Sequence, residues 1–383
     1  MIREISAKDF KQFAQAGVDF SSSYPNGIKK FLEAEIATFH PDDNFFFKQG
    51  GHMQCFIFED NKIIIGRIAA MINPELQENG ETVGLIGLFD CVEEYSVAQQ
   101  LLDVAIKYLK QKKCSLIWGP MDFSIWHHYR FMTQGFERYP FYGEPRNPEY
   151  YPKFFEQYGF KTKTGWESQV LNMKSMELFY DHNKEQLELF YRLNYSFEKL
   201  TAKNKNQMMD LSYALISSTY HQFPAFSAIS LEVFKTHFKR LPDLLDKDCT
   251  LFVKNPEGKY VGFLLVFKDI TMAVKAMNGK SGYLSKLKFL AHRNNSCMAN
   301  IAQGAALPHY IREAAVVGRR QLNKPLTLAG ATMCQAIKNI MDSGRYEYAV
   351  ISLMRDGAHI KNHANDESSE TRTYQLYQLE VHD

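Results

Sequence analysis

The chain has 383 residues, 45% of them hydrophobic and 14% aromatic, enough for about two or three domains with real cores. Lys and Arg number 45 against 43 Asp and Glu, so the formal net charge is +2 and nothing argues electrostatically for a nucleic-acid partner. The six cysteines form no CxxC pair, no signal peptide precedes them, and no apolar run reaches the roughly 18 residues of a membrane span. Reduced thiols and a cytoplasmic location are expected, with no transmembrane segment. Peripheral attachment to a membrane stays open, although no basic amphipathic helix signals it.

An internal repeat sets the order of elements. In EISAKDFKQF, Ile5, Ser6, Ala7, Lys8 and Gln12 match Leu200, Thr201, Ala202, Lys203 and Gln207 of KLTAKNKNQM at an offset of 195. CFIFEDNKIIIGRIAAM (55–71) and TLFVKNPEGKYVGFLLVF (250–267) share that offset, and each reads as a β-hairpin around turn residues. TVGLIGLFDC (82–91) is a buried strand. Ser96 with Gln99 reads as a capping box for the next helix, whose Val97, Leu101, Val104, Ala105, Tyr108 and Leu109 share a face. SLIWG follows as a strand, then the loop segment GPMDFSIWHHYRF (119–131), a short helix over 149–160 ended by Gly159, and a strand over 166–173. Residues 174–193 carry a partial helical stripe and bridge the halves. In the second half, 271–310 has no counterpart and reads as a surface excursion. A helix from about Gly330 to Met341 and a strand over 346–354 come next. The polar segment 363–372 reads as mobile, and TYQLYQLEV alternates as a final strand.

GRIAAMIN, GLIGLFDC, IWGPMDFS, MTQGF and NPEYYPKFFEQYGF, all between Gly66 and Phe160, resemble blocks of a bacterial family of tandem GNAT-like N-acyltransferases. The resemblance extends in element order over nearly the whole chain. It implies an α/β fold with a mixed sheet in two tandem GNAT-like domains, 1–173 and 194–383, joined by a linker helix at 174–193. It also implies that an amine attacks a thioester directly, without an acyl-enzyme, in a V-shaped gap between the fourth and fifth strands. The donor would be acyl-CoA or acetyl-CoA, its pyrophosphate held on N–H groups at the start of the following helix. The acceptor would be a small-molecule or lipid-like amine. An acyl carrier protein is an alternative donor carrier, and no metal is called for. The first half departs from the expected Gly-rich loop: VEEYSV has no glycine and places Glu93 and Glu94 where phosphate would sit. In the second half LTLAGATM is a degraded version. Thr327, Leu328, Gly330, Ala331 and Thr332 are the residues expected to hold CoA there, plain helix packing being the other reading.

Candidate chemistry clusters in the first half. Asp90, at the end of the fourth strand, is a general base or a strand cap. Cys91 reads as a small buried hydrophobe rather than an acyl carrier. Two adjacent histidines point to opposite faces of an extended chain, which disfavours a shared metal; His128 is a candidate base. Asp122, Phe123, Ser124 and Trp126 are expected to wall and polarise a pocket together with Tyr129 and Asn147. Tyr151 is the candidate proton donor to a leaving thiolate. Tyr374 and Tyr377 are weaker candidates on opposite faces of one strand. Two further readings stand beside N-acyl transfer from a thioester: a Fem-like aminoacyl transferase, and a non-catalytic ligand-binding tandem GNAT protein.

Overall fold

A computed structural model describes residues 1–220, 223, 225–356 and 370–381. The first half contains β1 (Ile2–Ile5), α1 (Phe10–Ser23), α2 (Leu32–Thr38), α3 (Phe45–Lys48), β2 (His52–Asp60), β3 (Ile63–Glu78), β4 (Glu81–Cys91) and α4 (Tyr95–Gln111). It continues with β5 (Leu116–Gly119), β6 (Phe131–Gln134), α5 (Tyr150–Tyr158) and β7 (Lys161–Asn172). Helix α6 (Met173–Arg192) leads into β8 (Ser196–Lys199), α7 (Lys205–Thr219), α8 (Leu231–His237), α9 (Leu241–Leu244), β9 (Leu251–Lys254) and β10 (Tyr260–Lys268). The remainder is α10 (Thr271–Met277), α11 (Tyr283–His292), β11 (Met298–Ala306), α12 (Pro308–Leu322), α13 (Leu328–Asp342), β12 (Tyr348–Arg355) and β13 (Glu370–Glu380).

All described strands join one sheet, ordered β1-β2-β3-β4-β5-β13-β7-β12-β11-β10-β9-β8, with β6 paired to β13. Local chemistry explains the hairpins. Asn61 and Lys62 (φ 48° and 68°) and Asn79 and Gly80 (φ 54° and 83°) supply paired left-handed turns, which match the twist of the strands they join. Apolar side chains on both faces of β4 suit a strand covered on both sides, by α1 and α3 on one side and by α4 and α5 on the other. The last strand, β13, lies between β5 and β7 rather than beside β12. Its alternation sends Tyr374 and Leu376 into the core with Phe13 and Phe46, and Tyr377 into the core with Leu101 and Phe155. Strand β7 in turn pairs with β12, so the halves are joined through exchanged strands.

The structure corrects three expectations. The capping box does not form: α4 has Glu94 at its N-cap, and the Ser96 hydroxyl donates to the Glu94 carboxylate (2.6 Å). The excursion over 271–310 is only partly an excursion. Helices α10 and α11 are an insertion, but β11 is an inner strand whose Ala299 and Ile301 are buried, and Pro308 opens α12. Its small residues, MANIAQGAA, hid it from a search for β-branched runs. Finally, residues 363–369 of the polar tail lie outside the described residues, while 370–372 belong to β13 and Arg372 is fully buried.

Candidate active site

The sheet opens twice. Parallel pairing of β4 with β5 stops at Leu85 and Trp118, although β4 runs on to Cys91. Parallel pairing of β11 with β12 stops at Ile301 and Ile351, although both strands continue. Each opening holds a cavity, of about 400 Å³ in the first half and about 370 Å³ in the second.

The carboxylates and the histidine lie around the first cavity. After Gly119 the chain turns back on β4: the Met121 N–H donates to the Ile86 carbonyl (2.8 Å) and the Leu88 N–H donates to Asp122 Oδ1 (2.6 Å). Leu88 is left-handed (φ 49°), which aims its N–H into the opening. Gly87 is needed for this approach, because a Cβ there would lie 2.6 Å from Asp122 Oδ1. Residues 120–130 close on themselves through the Arg130 N–H to Pro120 carbonyl bond (2.9 Å) and the Asp122 N–H to His128 carbonyl bond (2.8 Å).

Arg67 on β3 anchors the floor. Fully buried, it donates from Nε to Asp90 Oδ2 (2.7 Å) and from Nη1 to the Phe13 carbonyl (3.0 Å), and it lies 3.5 Å from Glu35 Oε2. Glu35 also pairs with Lys30 (3.2 Å). Burial raises the Asp90 pKa above the usual carboxylate range, and Arg67 limits the rise. Burial also works to raise Glu35, but Lys30 and Arg67 outweigh it and the net shift is downward. At the end of β4 the Cys91 N–H donates to the Tyr151 hydroxyl (2.9 Å), and the Tyr150 hydroxyl donates to the Cys91 carbonyl (2.9 Å). Burial, with the Asp90 charge, drives the Tyr151 pKa far above 10.

The two histidines diverge. His127 stacks on Phe45 (5.1 Å between centroids), lies tilted against Phe123, meets His237 edge-on and lies 3.0 Å from the Ser124 hydroxyl through Nδ1. Burial, with the neighbouring histidines, lowers its pKa to about 3. The His128 side chain is exposed to the cavity. Desolvation within the cavity and Lys30 lower its pKa below 6.5, while Asp122 and Glu35 pull it upward. The Asp122 pKa is raised by the same enclosure.

Of the residues singled out from the sequence, Asp90, Asp122, His128, Asn147 and Tyr151 meet around this cavity, with Tyr129. Asn147 spends its side chain on the Met132 backbone, accepting at 2.7 Å and donating at 3.2 Å. Phe123, Ser124 and Trp126 do not line it. Phe123 is left-handed (φ 62°) and packs inward on Phe46. Ser124 is buried beside His127, and Trp126 reaches the second half, donating from Nε1 to the Ser227 carbonyl (2.8 Å). The reason is the tight turn at Asp122, which reverses the chain before these side chains can reach the opening. Cys91 is fully buried, with its thiol pKa raised by burial and Asp90, which removes it as a nucleophile.

Sequence reasoning missed Arg67, Lys30, Glu35 and Arg130. An arginine inside the apolar strand GRIAAM was a usable signal, since a charge buried there requires a partner. Arg130 (φ 72°) stacks 4.1 Å from the Tyr129 centroid and 4.6 Å from that of Trp166. Its Nε and Nη1 are buried without a hydrogen-bond partner among the described residues, and the residue is part of the cavity lining.

The second cavity is mostly apolar, walled by Ile301, Leu328, Met333, Ile351 and Leu353, with Tyr220, Gln303, Thr332, Ser352 and Arg355 as its polar residues. Leu328 and Thr332 of the expected CoA loop therefore face it. Gly330 turns to α6, near Asn183 and Gln186, and Ala331 packs with Leu326 and Ala314. Thr327 is the N-cap of α13, and its N–H donates to the Gln186 side chain (2.7 Å).

No family model and no curated protein matches this sequence. Solved structures do. A GCN5-related glucosamine N-acetyltransferase region of a fungal multi-domain β-N-acetylglucosaminidase aligns with a TM-score of 0.51 and 12% identity, over 99% of this chain and 38% of that one. A tandem GNAT protein from the clavulanic acid biosynthesis pathway aligns at 0.49 and 8% identity, over 100% and 99% of the two chains. A GCN5-related N-acetyltransferase from Sphaerobacter thermophilus aligns at 0.48 and 7%, over 100% and 96%. The chain spans well under half the length of the first of these. The fold is that of the GNAT-type acyltransferases, used twice in tandem, with one strand-splayed opening in each half.

Proposed function

We propose that the chain is an N-acyltransferase whose first-half cavity receives a primary amine and an acyl thioester. The observation that carries this reading is the exposed His128 imidazole at the opening of β4 and β5, faced by Asp122 and Glu35 while Asp90 is held by Arg67. The amine nitrogen attacks the thioester carbonyl carbon, the carbon–sulfur bond breaks, and the thiolate leaves. His128, neutral at pH 7, takes the proton from nitrogen and passes it to the thiolate. Asp90 is engaged on both oxygens, with Arg67 at 2.7 Å and Tyr151 at 3.4 Å, so it serves as a fixed anion beside the incoming amine, which attacks in its neutral form after giving its extra proton to solvent. Tyr151 holds the end of β4 in place. Its pKa lies so far above that of a thiol that giving its proton to a thiolate is uphill. Arg130 offers unpaired N–H groups to an anionic part of the acceptor.

Acyl-CoA or acetyl-CoA is the donor we assign. Glu93 and Glu94 disfavour a pyrophosphate at α4, which makes an acyl carrier protein the alternative carrier of the thioester for this cavity. Two observations favour other readings. The absence of a phosphate loop at α4 suits a Fem-like aminoacyl donor, and the Leu88 N–H, which a thioester carbonyl would meet, is already bonded to Asp122, which suits a ligand-binding protein without chemistry. The test is thiol release from acetyl-CoA and from a long-chain acyl-CoA with a panel of primary amines. Thiol release that requires the amine and falls in His128→Gln supports the proposal. No release from either thioester sinks it, and aminoacyl-tRNA then takes the thioester's place in the same assay.

A further inference from the structure

We propose that α11, with α10, is a docking surface for an anionic lipid bilayer, placed at the mouth of the first cavity. The α10–α11 segment is inserted between β10 and β11, where the first half makes do with the tight turn at Asn79 and Gly80. In α11 only Ser285 is buried. Tyr283, Leu284, Leu287 and Leu290 are 75%, 73%, 45% and 50% exposed, and Met272 of α10 is 51% exposed. At about 100° per residue these four α11 side chains form one stripe, opposite the face that Ser285 and the half-covered Phe289 turn toward the protein. Lys286 and Arg293 flank the stripe on one side and Lys288 on the other. From 271 to 300 the chain carries Lys275, Lys280, Lys286, Lys288 and Arg293 and no Asp or Glu.

A central apolar stripe with cations along both edges, a basic amphipathic helix that the sequence reading did not pick out, fits a bilayer. The leucines enter the acyl boundary while the long basic side chains reach back to the phosphates. A second copy of the chain is a poor occupant, because the patch would meet its own positive charge. An acidic protein would satisfy the lysines but has no comparable depth for four large apolar side chains. No helix among the described residues is long and apolar enough to cross a membrane, so contact at this surface is interfacial. Its position couples it to the cavity. Val274 of α10 and Phe31 line the first cavity, Phe31 also lines a surface cleft with Gly279, Tyr283 and Leu284, and the Ser281 hydroxyl donates to Glu33 (2.8 Å). A docked molecule would draw a lipid-like amine or acyl chain from the bilayer. The docking itself is independent of the reaction assigned to the cavity.

The experiment is co-sedimentation of the full chain with vesicles of phosphatidylglycerol and phosphatidylcholine, against vesicles of phosphatidylcholine alone. The expected result is partition onto the anionic vesicles that falls at least about tenfold in Leu284→Glu/Leu287→Glu and in Lys286→Glu/Lys288→Glu. Both variants should melt at the wild-type temperature, since these side chains are exposed. No partition onto anionic vesicles overturns the proposal. So does equal partition of the variants, or light scattering that shows a dimer lost in Leu284→Glu/Leu287→Glu without any vesicle binding.

Discussion

Arg372 and Glu144 meet at 2.6 Å with both side chains fully buried, 228 residues apart in sequence. Glu144 also accepts from the Tyr374 hydroxyl and from the Phe141 N–H (3.0 Å). The final strand thereby clamps the 140–147 segment that walls the first cavity. Removing one partner of such a pair leaves a buried uncompensated charge. Arg372→Met is expected to lose about 3–5 kcal/mol in chemical denaturation, and adding Glu144→Gln should recover part of it. A single variant as stable as wild type would mean that the clamp contributes nothing.

Gly17 of α1 faces Arg67, and a Cβ there would overlap the guanidinium. Gly17→Ala is expected to cost about 1–3 kcal/mol by overpacking, and also to displace Arg67 from Asp90. Activity should fall by more than the unfolded fraction explains. A variant with lower melting temperature but normal activity per folded molecule would separate Arg67 placement from the reaction.

His128→Gln should lower kcat by about 10²–10⁴-fold with little change in donor KM. In the wild type, kcat/KM should rise with pH through a pKa below 6.5, because desolvation within the cavity and Lys30 disfavour the imidazolium. The variant should lack that limb. An unchanged pH profile in His128→Gln would exclude the histidine as proton acceptor.

His127 links stability to pH. Its pKa is about 3 in the folded chain against 6.5 as the reference value. Above pH 6.5 both states carry neutral imidazole. As pH falls from 6.5 toward 3 the unfolded chain takes up a proton that the folded chain refuses, so stability declines across that window by on the order of a few kcal/mol. His127→Gln should flatten this part of the denaturation profile, and an equally steep profile would rule the assignment out.

Arg130→Met should leave the melting temperature unchanged or raise it, since Nε and Nη1 are buried without a hydrogen-bond partner among the described residues. The same variant should raise KM for an acceptor bearing a carboxylate or phosphate and leave KM for a neutral amine alone. A large loss of stability would make the arginine a structural pillar instead.

Much of the fold was legible because it rests on local signals. Turn residues at Asn61 and Asn255, apolar faces in 97–109 and the Gly159 helix stop all report chemistry within a few residues. Strand β11 escaped because MANIAQGAA carries small side chains, and it becomes a strand only between β10 and β12. The site was half legible. Asp90, His128 and Tyr151 could be suspected from residue type and place. Arg67, Glu35 and Lys30 come from two other elements, and no spacing in the sequence relates them. Phe123 and Trp126 were expected in a pocket wall because they are aromatic and close to the histidines. The left-handed backbone at Phe123 sent them elsewhere.

The sequence by itself determined the paired hairpins over 55–71 and 250–267 and the acidic, glycine-free start of α4, because each depends on neighbours along the chain. Only the tertiary structure decided that β13 crosses to the first half, that Asp122 takes the Leu88 N–H, and that His127 packs among aromatic rings while His128 is open to the cavity. Those outcomes depend on which surfaces pack together, since buried polar groups are tolerated only where partners distant in sequence satisfy them.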